Sequence, residues 1–275
     1  MAAISNYDCY LSGMNLAMED KAWFMNIVPF LANNYDARIL DYGCADCALG
    51  RFLVDQKRFT GTYIGVDADL EMGAAARAAN TAEPELYKRL QWKQGTFCTT
   101  TGYDFLSEEA VKQTTLVLNS VIHEVHSYCL PTEIHQFWDN VWYRGWQRIA
   151  IRDMAISRID ADHWIDGVRM LSQMPLELFG RYRLWHKDYG SQKFASTRDV
   201  IHFLLKYRYT ENWERESAEN YLPLYWEEII SMVPSHYRIV YAKSYCLPFI
   251  QQTIANDTGI KLEIPTHYQL LLEAT

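Results

Sequence analysis

The stretch from Arg38 to Leu53 constrains the chain most. Arg38-Ile39-Leu40-Asp41-Tyr42 is a short apolar run that closes on an acid and an aromatic residue. Gly43-Cys44-Ala45-Asp46-Cys47 is a turn of small side chains, and Leu49, Phe52 and Leu53 restart at helical spacing. The pattern predicts a strand, a tight loop and a helix N-terminus. Small side chains at Gly43 and Ala45 let backbone N–H groups approach a ligand closely, and the helix end adds a partial positive charge. A small anionic cofactor suits such a loop.

Downstream, strand and helix signals alternate. Strands are expected at Ala37 to Tyr42, Thr62 to Asp67, Gln91 to Phe97 (the weakest), Leu116 to Ile122 and Arg148 to Asp153. Helices are expected at Ala48 to Gln56, Asp69 to Ala79, Ser107 to Lys112 and Pro131 to Tyr143, and before the first strand at Asp20 to Asn33, bent or delayed by Pro29. This alternation predicts an α/β fold with a largely parallel sheet. Such sheets bind ligands beyond the carboxyl ends of their strands, which places Asp41, Asp67, Phe97, Asn119 and Asp153 on one rim.

At 275 residues and 49% hydrophobic, the chain can bury a large core, and a single domain over residues 1–275 is the expectation. No apolar run reaches the roughly 18 residues of a membrane span, because Pro29, Asn33 and Asn34 interrupt the best stretch. Asp8, Glu19 and Asp20 stand where a secretory leader carries positive charge, so a cytoplasmic setting is expected. Cys9, Cys44, Cys47, Cys98, Cys129 and Cys246 are too scattered for a disulfide scaffold and read as reduced thiols. A net charge of −8 disfavours a protein that coats nucleic acid, while leaving room for a local basic site.

The rim residues carry a resemblance. Asp41-x-Gly43 with Cys44-Ala45-Asp46, Gly65-Val66-Asp67, and Asn119-Ser120-Val121-Ile122-His123-Glu124 together resemble the class I S-adenosylmethionine-dependent methyltransferases. The run from Gly259 to Glu273 is similar to that family's antiparallel last strand, and the likeness covers roughly residues 20 to 155 and 236 to 273. Ile122-His123-Glu124-Val125, Ile151-Arg152-Asp153-Met154, His202 to Tyr209 and Glu211-Asn212-Trp213 narrow it to what looks like a bacterial and phage subgroup. No substrate comes with that subgroup.

The resemblance implies a Rossmann-like seven-stranded sheet, mostly parallel with an antiparallel last strand, and S-adenosylmethionine as cofactor. It implies that Gly43 to Cys47 wrap the methionine part and that Asp67 accepts both ribose hydroxyls, with Thr96 and Phe97 at the adenine. The implied cofactor set is Asp41, Gly43, Cys44, Ala45, Asp46, Asp67, Ala68, Thr96, Phe97, Asn119 and Ser120. Ala45 and Cys47 stand where glycine is commoner, and Thr96 where an acid often meets the adenine amino group. His123, Glu124 and Asp153 are the candidates for a base or an acceptor-orienting group, with His123 first as base and Glu124 as its orienter.

Three other readings stand beside this one. Gly43-x-Ala45-x-x-Ala48 with an acid at the next strand end also fits a nicotinamide dinucleotide, against which Asp41 and a hairpin-like C-terminus argue. Cys44-x-x-Cys47 at a strand-to-helix turn has the place of a thioredoxin-like redox pair. His123-x-x-His126-x-x-Cys129 has metal-ligand spacing, but no fourth ligand is evident, and no metal is assigned.

Residues 155–234 exceed a plain crossover and are expected to form a helical insertion between the fifth and sixth strands, over the rim. Within it, residues 181–208 hold seven basic residues against two acids, interleaved with Tyr182, Trp185, Tyr189, Phe194, Phe203 and Tyr207. That composition suits RNA or a nucleotide-containing small molecule, or else a solvated helical face with its aromatics in the core. The acids from Glu214 to Glu228 would confine any nucleic-acid contact. The expectation is a methyltransferase whose acceptor is open, with a non-catalytic cofactor-binding module as the rival class.

Overall fold

The structure, a computed structural model, describes residues 17–99 and 106–275. Asp8 and Cys9 lie outside the described residues. Seven strands form one sheet: β1 (Arg38–Tyr42), β2 (Thr62–Asp67), β3 (Leu90–Gln94), β4 (Thr114–Asn119), β5 (Arg148–Met154), β6 (Tyr237–Tyr245) and β7 (His267–Ala274). Their order is β3-β2-β1-β4-β5-β7-β6. Pairing is parallel from β3 to β5, and β7 runs antiparallel to both β5 and β6. Strand order reverses between β1 and β4, so the carboxyl ends of those two strands open the crevice where such a sheet holds ligands.

The period of two along each strand divides the core. Leu40, Tyr42, Leu116, Leu118, Ile149 and Ile151 face the helix Pro131–Tyr143, whose Phe137, Trp138, Val141 and Trp142 close that layer. Ile39, Tyr63, Val117 and Ala150 face Leu49 and Leu53 of the helix Ala48–Lys57, together with Trp23, Phe24 and Leu31. Both faces are buried, which is why the central strands read as almost continuous apolar runs.

Three expectations change. The segment before β1 is not one helix but successive turns, Met18–Lys21, Phe24–Ile27 and a 3-10 turn Pro29–Leu31. Val28 leaves helical geometry before Pro29, which has no N–H to continue the ladder. Its Trp23, Phe24 and Leu31 are buried as expected, whereas Phe30 lies at the surface under the Arg148 guanidinium. β4 ends at Asn119 rather than Ile122, because Ser120 turns at φ +56° and a helix, Ile122–Tyr128, begins at once. β3 stops at Gln94. The hairpin-like end of the chain forms, since β6 and β7 pair antiparallel, with the helix Pro248–Thr258 in their connection.

The insertion is helical. Arg158–Asp162, Trp164–Gln173, Leu176–Tyr189, Thr197–Leu204, Trp213–Ala218 and Trp226–Ser231 span it. Five of the six share a third core built on Met170, Tyr182, Trp185, Phe203 and Leu222, and Ile254, Ile260 and Leu262 from the β6–β7 connection join it. Trp226–Ser231 instead packs on the sheet layer through Ile229.

Gly65 of β2 fixes how closely the first loop can sit. A methyl carbon there would lie 2.5 Å from Cys47 Sγ and 2.6 Å from Cys44 Sγ. Gly65→Ala is therefore expected to destabilise the fold by about 1–3 kcal/mol through overpacking. Urea denaturation followed by circular dichroism measures it, and an unchanged midpoint would mean that the loop gives way freely.

Candidate active site

The β1 loop is built from left-handed residues. Gly43, Ala45 and Cys47 have φ of +75°, +46° and +60°, so the backbone coils back on itself within five residues. Gly43 and Cys44 donate their N–H groups to Val66 O at 2.8 and 3.2 Å. Ala45 N donates to Asp67 Oδ2 at 2.8 Å, and Asp69 N donates to Asp67 Oδ1 at 2.9 Å. The end of β2 thus holds the loop, and each Asp67 oxygen keeps one further acceptor direction. Burial raises the Asp67 carboxyl to about 6, against the pull of those two N–H donors.

Behind the loop, Asp41 is buried and accepts from Tyr63 OH. Burial pushes Asp41 up to about 7, with Tyr63 and Lys21 opposing. The Lys21 ammonium is itself buried and pulled down to about 8, first by burial and then by Arg152, while Asp41 and Asp46 act against the shift. A cavity opens here, lined by Met18, Lys21, Asp41, Gly43, Cys44, Asp46, Ala48, Leu49 and Asn119. Five of the expected cofactor residues (Asp41, Gly43, Cys44, Asp46 and Asn119) therefore share one cavity, with Ala45 and Asp67 holding its wall. Asp46 is fixed by Ala48 N at 3.1 Å and Arg51 at 2.6 Å, and Asn119 Nδ2 donates to Lys21 O at 3.3 Å. Sequence reasoning missed Lys21 and Met18. The available signal was a lysine placed between an acidic pair and an apolar run.

The remaining expected contacts do not line that cavity. Phe97 is fully buried, its ring stacked on Tyr42 at 4.3 Å and Trp146 at 6.0 Å, so it belongs to the core rather than to an adenine face. Thr96 is half-buried, with Oγ1 3.2 Å from Tyr42 OH. Ala68 is exposed beside Asp67. Ser120 Oγ accepts from Arg152, which also reaches Asp20 at 2.8 Å, so this hydroxyl is tied to a buried ionic network.

At the end of β5, Asp153 accepts from His123 Nδ1 at 2.8 Å, Ile122 N at 2.7 Å and Met154 N at 2.8 Å. Both its oxygens are committed and it is buried, so Asp153 positions other groups. The orienter of His123 is Asp153, not Glu124, whose Oε1 is held by Arg215 at 2.9 Å. Burial works against an imidazolium at His123, yet Asp153, Glu219 and Glu124 outweigh it and hold the ring at about 9. His126 turns away and accepts from Trp138 Nε1 at 3.2 Å, while Cys129 Sγ lies 3.2 Å from Cys98 Sγ. The spacing His123-x-x-His126-x-x-Cys129 therefore does not converge on a point. Glu219, one of the acids expected to confine any nucleic-acid contact, is buried beside His123.

In the stretch 181–208, Tyr182, Trp185, Phe203 and Tyr207 are core, and Lys206 is buried on the carbonyls of Glu216 and Glu219. Arg181 and Arg198 bind carbonyl oxygens of Tyr207 and Leu222. Tyr189 and Phe194 remain exposed, with Arg183, Lys187, Lys193 and Arg208.

No protein-family model and no curated protein sequence matches the chain. Solved structures match it in fold. The MccD protein is similar over 94% of this chain and 97% of its own, with a TM-score of 0.52 at 8% identity. The magnesium protoporphyrin IX methyltransferase of Synechocystis, solved with bound SAH, covers 96% and 84% with a TM-score of 0.50 at 10% identity. PKMT2 from Rickettsia typhi covers 88% and 49% with a TM-score of 0.51 at 12% identity. The chain has the Rossmann-like fold of the class I S-adenosylmethionine-dependent methyltransferases.

The loop cysteines have a checkable chemistry. All five cysteines among the described residues are free, and Cys44 and Cys47 lie 3.7 Å apart, sulfur to sulfur. Burial, then the neighbouring Cys47 thiol, raises the Cys44 thiol well above its usual value, the opposite of a redox-active thiolate. Iodoacetamide at neutral pH should leave both unlabelled in the folded protein and label both in urea, as read by peptide mass spectrometry. Rapid labelling of Cys44 in the native state would restore the redox reading.

Proposed function

We propose that this chain is a methyltransferase that binds S-adenosylmethionine at the rim cavity and acts on an acceptor held between the rim and the insertion. The observation that carries the reading is Asp67, locked at the end of β2 by Ala45 N and Asp69 N with one acceptor direction left on each oxygen. A vicinal diol presents two such donors. The Lys21 ammonium in the cavity behind the loop suits a carboxylate, and the small-residue loop suits close backbone approach. When bound, the cofactor would supply a methyl group on a sulfonium, which an acceptor lone pair displaces in line.

In this reading, Asp41, Gly43, Cys44, Ala45, Asp46 and Asn119 shape the methionine side, and Asp67 with Thr96 the nucleoside side. His123, fixed by Asp153, orients the acceptor, and Glu124 with Arg215 borders it. Support for an RNA acceptor along residues 181–208 rests on the exposed Arg183, Lys187, Lys193, Arg208, Tyr189 and Phe194, because the remaining aromatics are core. A built His123–Asp153 pair favours turnover over a passive binding module.

Asp67→Ala should weaken S-adenosylmethionine binding by about 2–4 kcal/mol, the scale of two charge-assisted hydrogen bonds partly replaced by water. The pH dependence has a definite sign. Hydroxyl donors favour the ionised carboxylate, and burial has raised Asp67 to about 6. Affinity should be flat well above that pH and fall by about tenfold per unit below it. Calorimetry across pH checks both, and tight binding of a nicotinamide dinucleotide in place of S-adenosylmethionine would move the assignment to that cofactor.

His123→Ala and Asp153→Asn should each keep cofactor affinity within a few-fold while losing about 10²-fold or more in methyl transfer. The assay follows isotopically labelled methyl groups into fractions of cell extract. A wild-type protein that binds the cofactor and labels nothing in any fraction would make the chain a binding module.

A further inference from the structure

His123, Glu124 and Glu219 each present a ligand atom, and these three atoms lie within 4.8 Å of one another. They come from two parts of the fold. His123 and Glu124 begin the helix Ile122–Tyr128 at the rim, whereas Glu219 ends the helix Trp213–Ala218 of the insertion. His123 is 5% exposed and Glu219 is 3% exposed, so this is not a cluster of solvated surface acids. Asp153 occupies His123 Nδ1 at 2.8 Å, which turns the other ring nitrogen, Nε2, toward Glu219. The Nε2 to Glu219 Oε2 distance is 3.9 Å, too long for a hydrogen bond between them. Two donors on one ion with bonds of about 2.1 Å stand roughly 3–3.5 Å apart, so a small inward shift would let both reach it.

The surroundings resemble the outer shell of a metal site. A ligating histidine ordinarily gives its second nitrogen to a carboxylate, as His123 does to Asp153. Glu219 Oε1 is fixed by Tyr128 OH at 2.8 Å and Arg215 at 2.8 Å, which leaves Oε2 as the atom turned to the histidine. Arg215 reaches Glu124 Oε1 at 2.9 Å and Glu219 Oε1 at 2.8 Å, so both carboxylates are held in place by the same guanidinium.

We propose that His123 Nε2, Glu124 and Glu219 bind a divalent cation of the Mn²⁺ or Mg²⁺ class. One imidazole and two carboxylates suit such an ion better than a thiolate-seeking one. Three protein ligands leave coordination positions for an oxygen ligand from the cleft. Resting on the methyltransferase reading, this names the acceptor class as a hydroxyl. Coordination lowers the hydroxyl's pKa and releases its proton to solvent. The oxygen lone pair then forms the bond to the methyl carbon as the carbon–sulfur bond breaks and its electron pair stays on sulfur.

The test uses the full chain and Mn²⁺ alone, with no methyl donor, following the loss of the free-ion electron paramagnetic resonance signal. The wild type should bind Mn²⁺, and Mg²⁺ should compete. Glu219→Gln should lose binding, Asp153→Asn should weaken it by about 10–100-fold as an outer-shell change does, and Glu263→Gln, an exposed acid, should change nothing. If Glu219→Gln does not fold by circular dichroism, Glu124→Gln gives the same reading at the half-buried ligand. No Mn²⁺ binding by a folded wild type, or binding untouched by both ligand variants, overturns the site. Because the titration omits S-adenosylmethionine, such a failure leaves the cofactor assignment standing, and failure of cofactor binding leaves the cation result standing.

Discussion

The carboxylate of Asp153 ties the end of β5 to the start of the helix that follows β4. It accepts the first N–H of the helix that follows β4, it holds the ring of His123, and it closes on Met154 N at the end of its own strand. An anion is favourable at a helix N-terminus, where N–H groups lack partners. Burial alone would raise its pKa, but the His123 ring and the N–H donors hold it below its usual value. The turn at Ser120, the start of the helix Ile122–Tyr128 and the direction of His123 are consequences of satisfying one buried charge. Its removal would leave unpaired N–H donors in the interior, where each costs about 1–3 kcal/mol.

The second organising contact lies across the switch point. The β1 loop rests on β2 through Val66 O and Asp67, and Gly65 removes the side chain that would keep the loop away. The wall of the cavity is therefore set by backbone geometry more than by side-chain choice. This explains how Ala45 and Cys47 serve where glycine is commoner. Both accept the left-handed conformation, a cost of order 1 kcal/mol or more at such positions, because surrounding contacts fix it.

Much of this was legible in the sequence because it is local. Strand periodicity, the Gly43 to Cys47 turn and the acids at the ends of β1, β2 and β5 are written in adjacent residues. Thr62–Asp67 and Pro131–Tyr143 form as expected, residue for residue. Illegible features depend on distance or on a single torsion. Arg215 and Glu124 stand 91 positions apart, and nothing in the composition of Glu214 to Glu228 says that Glu216 and Glu219 turn inward while Glu227 and Glu228 meet Arg158. Tyr182 and Trp185 sit among basic residues and look like a stacking surface until the third core absorbs them. The end of β4 was misplaced because Val121 and Ile122 have strand propensity, which the left-handed turn at Ser120 overrides.

The position of β7 carries a consequence for how this chain is made. It lies between β5 and β6, although the whole insertion, β6 and the helix Pro248–Thr258 precede it in the chain. From the synthesis of Met154 until His267 and its successors arrive, the β5 edge offers open N–H and C=O groups flanked by Ile149 and Ile151. An apolar unpaired edge of that kind is a template for pairing with another chain. The late strand therefore also covers an edge that would otherwise stay open to pairing with another chain.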